Sequence, residues 1–163
     1  MIKNFNTLFV TMFGLGKIKI IPGTFGSLAT IIMLYIFFHL IKISSHIILL
    51  FLISVFIYSF IAVASYIKES ENKDPKEVII DEFIGQSIPI YLYEISHGTQ
   101  KTSEDAIIFY GICFILFRFF DILKPGIIGK SEKLKGATGI MMDDWLSGLF
   151  SAAIIFVLFI FGF

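Results

Sequence analysis

Residues 78–95 read VIIDEFIGQSIPIYLYEI, and whether this stretch crosses a membrane decides the fold. It is apolar apart from Asp81, Glu82, Gln86 and Glu94, and Pro89 interrupts it. The chain around it has 163 residues, 56% hydrophobic, 17% aromatic and only 16% charged, with mean hydropathy +0.88. A soluble domain carries about 25% charged residues, so this is the composition of a membrane protein. The length fits a single membrane-embedded domain over 1–163. A formal net charge of zero shows no basic footprint for nucleic acid. The one cysteine, Cys113, excludes an intrachain disulfide and reads as a buried, inert thiol in an apolar run. Residues 1–20 have a short apolar patch followed by lysines and no small-residue cleavage site, so they read as an amphipathic cytoplasmic lead-in.

A membrane span needs about 20 mainly apolar residues. Four other runs approach that: 25–41, 46–67, 106–123 and 144–163. If 78–95 stays on one side and the N-terminus is inside, the loop 124–142 falls outside with Lys124, Lys130, Lys133 and Lys135. That contradicts the positive-inside rule. If 78–95 crosses, only Lys42 and Lys101 lie outside and the other ten lysines collect inside. The expected fold is an all-α integral membrane helical bundle of four to five transmembrane helices. The 78–95 segment either crosses whole or is a broken or re-entrant helix around Pro89. The charge run KESENKDPKE (68–77) becomes a solvated cytoplasmic loop.

This topology brings four polar clusters to one membrane level. PGTFGS (22–27) starts the first span and Asp81 with Glu82 starts the third. Asp121 and Lys124 end the fourth, and Asp143 with Asp144 starts the fifth. Polar clusters distant in sequence but level in the membrane are how a site is built between helices. Five carboxylates together repel one another unless cations or protons intervene. Mg²⁺ is the natural partner, a hard ion taking carboxylate and phosphate oxygens. His39, His46 and His97 fall toward the other side, which argues against a histidine-rich zinc site.

In PGTFGS, Thr24 either caps the helix or, with Gly23, helps its N-terminus receive an anion. KGATG (135–139) is either a flexible turn or a second lysine–glycine loop beside the acids. Arg118, Lys124 and Lys135 can complement a phosphate, and Arg118 also stands three residues from Asp121, on the same helical face. Neighbours on a helix diverge by about 100°. One acid of each adjacent pair is therefore expected to reach a metal, and Asp143 or Asp144 can instead serve the dipole at a helix start.

The ordered blocks PGTFGSL, DPKEVIIDEFIGQ, FRFFDILKPGIIG and KGATGIMMDDWLSGL resemble bacterial phosphatidylglycerophosphatase A and span residues 22–149. The resemblance implies a Mg²⁺-dependent integral membrane phosphatase of phospholipid biosynthesis. Such an enzyme converts phosphatidylglycerophosphate to phosphatidylglycerol and phosphate, at a cytoplasmic-facing site in the bacterial inner membrane. Carried over by position, the family's motifs fall on Thr24, Asp81, Glu82, Asp121, Lys124, Lys135, Asp143 and Asp144. Ala137 stands where a glycine is common in the family and Ile127 where proline is.

The expected metal ligands are Asp81, Glu82, Asp121, Asp143 and Asp144. Asp81, Asp121 and Asp144 are the catalytic candidates, and Gly23, Thr24, Arg118, Lys124 and Lys135 are the candidates for holding phosphate. The expected partners are the lipid substrate and the bilayer, with the oligomeric state open. Water activated by a carboxylate base and a covalent aspartyl-phosphate both remain as mechanisms. A cysteine phosphatase is disfavoured, because only four residues separate Cys113 from Arg118 where its motif has five. The competing class is a transporter or cation pathway, which would place acids at several depths. A purely structural membrane protein leaves the acids unexplained.

Overall fold

The computed structural model describes residues 2–70, 72, 75–96 and 103–160. Lys73 and Lys101, used in the charge argument, and His97, used in the zinc argument, lie outside the described residues. The described chain is helical: α1 (Ile2–Val10), α2 (Pro22–Tyr35), α3 (Ser45–Glu69), α4 (Ile80–Ile95), α5 (Ser103–Leu123), α6 (Ile127–Ser131) and α7 (Ala137–Ile160). A 3₁₀ turn at Leu15–Lys17 follows α1, and α2 continues as a π-helical turn over Ile36–Leu40. Pro22 occupies the first position of α2, where its missing N–H is harmless.

Four helices are long and apolar enough to span a membrane: Pro22–Leu40, Ser45–Glu69, Glu104–Leu123 and Ala137–Ile160. Their polarity is inverted relative to a soluble bundle. On α3, Ile57 and Ile61 are about three-fifths exposed while Ser59 is fully buried. Buried serine hydroxyls are satisfied within their own helices, as Ser59 Oγ donates to the Val55 carbonyl and Ser147 Oγ to that of Asp143. Small residues at helix contacts with apolar residues outside are the pattern of packing in lipid.

The segment that decides the fold is one continuous helix. α4 runs through Pro89 without a break, so it is not a broken helix. At 16 residues it measures about 24 Å, short of the roughly 30 Å of a bilayer core. It is the inner helix of the bundle, with Asp81, Phe83, Ile84, Gly85, Gln86, Ser87, Pro89, Ile90 and Tyr93 among its buried residues. Proline removes the hydrogen bond that would reach the carbonyl of Gly85. That freed carbonyl faces Gly148 of α7 so closely that a Cβ on Gly148 would collide with it.

α1 is tied to α3 rather than loose. The rings of Phe9 and Tyr58 meet edge to face at 4.8 Å, and Tyr58 Oη donates to Asn6 Oδ1 at 2.6 Å. The amide of Ile79 donates to the carbonyl of Val10 at 2.9 Å, which moors the entry to α4. Two apolar clusters form the core. One, around Val10, Val63, Ile80, Phe83 and Met141, lies at the start of α4. The other, around Leu34, Ile48, Ile90, Tyr110 and Ile155, lies at its end and holds the fully buried Cys113.

The fifth apolar run begins earlier than hydropathy indicates. α7 starts at Ala137, so only Lys135 and Gly136 (φ +71°) of KGATG form the turn. Asp143 and Asp144 are therefore in the second turn of α7, not at its start. Thr24 does not cap α2 either. The residue before that helix is Ile21, and no side chain caps it.

Candidate active site between the helix ends

The starts of α2, α4 and α7, the end of α5 and the turns beside them enclose a cavity of about 680 Å³. Its charged lining includes Asp81, Glu82, Asp121, Asp143 and Asp144 together with Arg118, Lys124 and Lys135. Gly23 lines it as well, while Thr24, one position on, does not. Of the expected site residues, all but Thr24 therefore face one space.

The floor of this space is set by a glycine crossing. A Cβ on Gly85 would run into the Asp144 carbonyl and the Phe117 ring, and one on Gly148 into the Gly85 carbonyl. α4 and α7 thus touch backbone to backbone, as small residues allow. Asp81 lies one turn before Gly85, and Asp144 one turn before Gly148. The crossing therefore draws these two carboxylates together. Asp81, Glu82 and Asp144 each offer an oxygen, and the three oxygens lie within 4.8 Å of one another. Both acids of the 81–82 pair join, against the expectation of one per pair, because the longer Glu82 side chain spans the divergence between neighbours. Gly23 makes room for it, since a Cβ there would collide with the Glu82 carboxylate.

The 143–144 pair does divide. Asp144 joins the trio, while Asp143 Oδ2 accepts from Lys124 Nζ at 2.7 Å. Asp121 pairs with Arg118 Nη1 at 2.5 Å and stands beside Asp144. Burial works against the charged form of Lys124, but hydrogen bonds to Asp143 and Glu132 outweigh it and hold the ammonium above its ordinary pKa. Lys124 has φ +45°, a left-handed turn that swings its side chain back from the end of α5 toward α7.

The donor set fits a hard divalent ion. Asp81 Oδ1 and Glu82 Oε2 are buried without a hydrogen-bond partner, and so is Asp143 Oδ1. Buried carboxylate oxygens without donors are costly, and a cation among the trio would satisfy them. Arg118 Nε is likewise buried without an acceptor at the same cavity, free to receive an anion oxygen.

Glu132 was not foreseen. It sits just past α6, in the lysine-rich turn, and accepts from Lys124 Nζ at 2.7 Å. One acid among lysines carries no signal in the sequence that separates it from a solvated loop. Gln86, one turn beyond Glu82, is fully buried with neither amide atom partnered.

The described histidines lie away from this cavity. His39 meets Glu94 at 3.0 Å near the far end of α4, and His46 is near Ser45 at the start of α3.

The family model of phosphatidylglycerophosphatase A matches residues 8–159. A putative phosphatidylinositol-3-phosphatase of Bacteroides thetaiotaomicron is 35% identical over 149 residues, 90% of this chain and 89% of that protein. The phosphatidylglycerophosphatase A of Haemophilus influenzae is 32% identical, covering 90% of this chain and 83% of its own length. That of Escherichia coli is 30% identical, covering 88% and 77%. No solved structure matches the chain.

Proposed function

Since this chain belongs to the phosphatidylglycerophosphatase A family and is an enzyme of that class, we propose that it removes the terminal phosphate of phosphatidylglycerophosphate with Mg²⁺ at the carboxylate trio. The products are phosphatidylglycerol and inorganic phosphate, a step of phospholipid biosynthesis. The observation that carries this reading is the trio of Asp81, Glu82 and Asp144, with partnerless buried oxygens, in one cavity with Arg118 and Lys124. The positive-inside count supports a cytoplasmic-facing site, and the family supports the inner membrane of a bacterium.

A divalent ion bound by the trio would supply charge against the phosphate oxygens and lower the pKa of a bound water. The chain's own groups do the rest. Arg118 and Lys124 make charge-assisted hydrogen bonds to the phosphate. Gly23, at the start of α2, stands at the same wall, while the amides of Thr24 and Phe25 are already taken by the Ile21 carbonyl. Asp121, beside Asp144 and outside the trio, is placed to take a proton from the attacking water. Attack by a carboxylate, giving an aspartyl-phosphate that water then hydrolyses, uses the same constellation.

The cation-pathway reading is disfavoured by the distribution of acid. Among the described residues, the carboxylates of the inner helix α4 are confined to its two ends, Asp81 with Glu82 and then Glu94.

The name of the Bacteroides relative favours a second substrate, a phosphoinositide carrying the same phosphomonoester chemistry on another headgroup. Phosphate release by purified protein in detergent, from phosphatidylglycerophosphate and from phosphatidylinositol-3-phosphate, separates the two. Release from the first that stops with excess chelator and returns with Mg²⁺ is the expected result. Release from the second alone reassigns the substrate, and none from either with any divalent ion sinks the phosphatase reading.

A further inference from the structure

Lys124 faces more acid than it can neutralise. Its Nζ donates to Asp143 Oδ2 and to Glu132 Oε1, each at 2.7 Å. One positive charge is shared between two carboxylates, and the two arms differ. The Asp143 side chain is 7% exposed and that of Glu132 is 48%. Parting an ammonium from a buried carboxylate strands a charge in a poor solvent. Parting it from an exposed one loses little, because water takes over. The Glu132 arm is the one that yields.

Its position suits an exchange. Glu132, Lys124 and Asp143 all line the cavity that holds the acidic trio and Arg118. After Lys124 the chain reverses, and the amide of Gly129 donates to the Lys124 carbonyl at 3.1 Å. The short α6 then carries Glu132 back to the ammonium, with the Glu132 amide bonded to the Ile128 carbonyl at 3.3 Å. A carboxylate on a compact surface turn thus occupies the outer face of the lysine that is anchored to buried Asp143.

We propose that Glu132 is a displaceable counter-anion: the headgroup phosphate takes its place on Lys124 while Asp143 keeps its hold, and Glu132 returns as phosphate departs. The proposal rests on the phosphatase reading above. No covalent bond changes, since one charge-assisted hydrogen bond replaces another. Glu132 is a positioning residue that competes with the substrate phosphate and with the product. A fixed strut would have the opposite effect: without Glu132 the lysine would wander and phosphate would bind more weakly.

Calorimetric titration of inorganic phosphate into purified protein in detergent distinguishes these, alongside steady-state kinetics on phosphatidylglycerophosphate. Glu132→Gln is expected to tighten phosphate about 2- to 5-fold, the scale of one exposed ion pair, and to lower KM without raising kcat. Glu132→Ala should behave likewise, and neither removes a core contact. Lys124→Gln combined with Glu132→Gln should abolish the gain, the signature of a shared partner. Unchanged or weaker phosphate binding by Glu132→Gln overturns the exchange. So does an equal gain without Lys124, or no phosphate binding by the unaltered protein. Phosphate binding that follows the expected pattern while the lipid is not hydrolysed would instead defeat the phosphatase reading alone.

Discussion

The two ends of α4 bury the same kinds of group and treat them oppositely. At the far end Glu94 is closed in by its neighbours. Glu94 Oε1 accepts from Tyr110 Oη at 3.0 Å and meets His39 Nε2 at 3.0 Å, and Tyr35 stacks on the His39 ring at 4.9 Å. At the near end six acids line one cavity, and Asp81, Glu82 and Asp143 each keep an oxygen without a partner. A satisfied buried network rigidifies a bundle, while an unsatisfied one waits for something to complete it. Burial alone does not mark a functional carboxylate. The missing partner does.

Four experiments break or sharpen that contrast. The largest effect belongs to Asp144→Asn, which keeps shape and removes charge from the trio. It should lower kcat about 10²- to 10³-fold, the scale for deleting one electrostatic stabiliser, while membrane insertion is unchanged. Phosphate release by Asp144→Asn at near the wild-type rate would remove it from the site. Next, Mg²⁺ should raise the melting temperature of the protein and excess chelator should lower it, as any ligand of the folded state does. Loss of that shift in Asp81→Asn with Glu82→Gln would tie it to the trio, and its survival would place the ion elsewhere.

Third, Gly148→Ala forces α4 and α7 apart. We expect about 1–3 kcal/mol of lost stability from overpacking and a fall in kcat larger than that loss explains, because Asp81 and Asp144 separate. A denaturant titration run beside the assay gives both numbers. The smallest effect on turnover is at the far end. Glu94→Leu leaves Tyr110 and His39 without their acceptor and should cost about 1–3 kcal/mol of stability, with KM unchanged. A large change in KM would show that the far end is not merely structural.

Much of this arrangement could be read from the chain itself, and the omissions have physical causes. The span at 46–67 widened only to Ser45–Glu69, and that at 106–123 to Ser103–Leu123, because their apolar runs end where their helices do. α7 was entered late because hydropathy stops at Asp143 and Asp144, whereas the helix needs only Ala137–Met142 ahead of them to satisfy its first turns. The acids were legible as a level because crossing direction follows from lysine placement. Their division into a trio and two ion pairs was not, because it depends on the rotation of α4 against α7. That rotation is decided by Gly85 and Gly148, which in sequence resemble any glycine in an apolar run. His39 and Glu94 are 55 positions apart, and nothing local announces their pairing.

The inner position of α4 also bears on how the site comes into being. A short helix with Asp81, Glu82, Gln86 and Glu94 along it makes a poor solitary guest in lipid. It becomes comfortable only when α2, α3, α5 and α7 surround it. One of the trio's three carboxylates, Asp144, resides on α7, which enters the chain more than forty residues after α4 ends. Chemistry is thus withheld until the bundle closes. Until α7 docks on α4, a chain would hold Asp81 and Glu82 apart from Asp144, and the cradle these three would offer a cation would be incomplete.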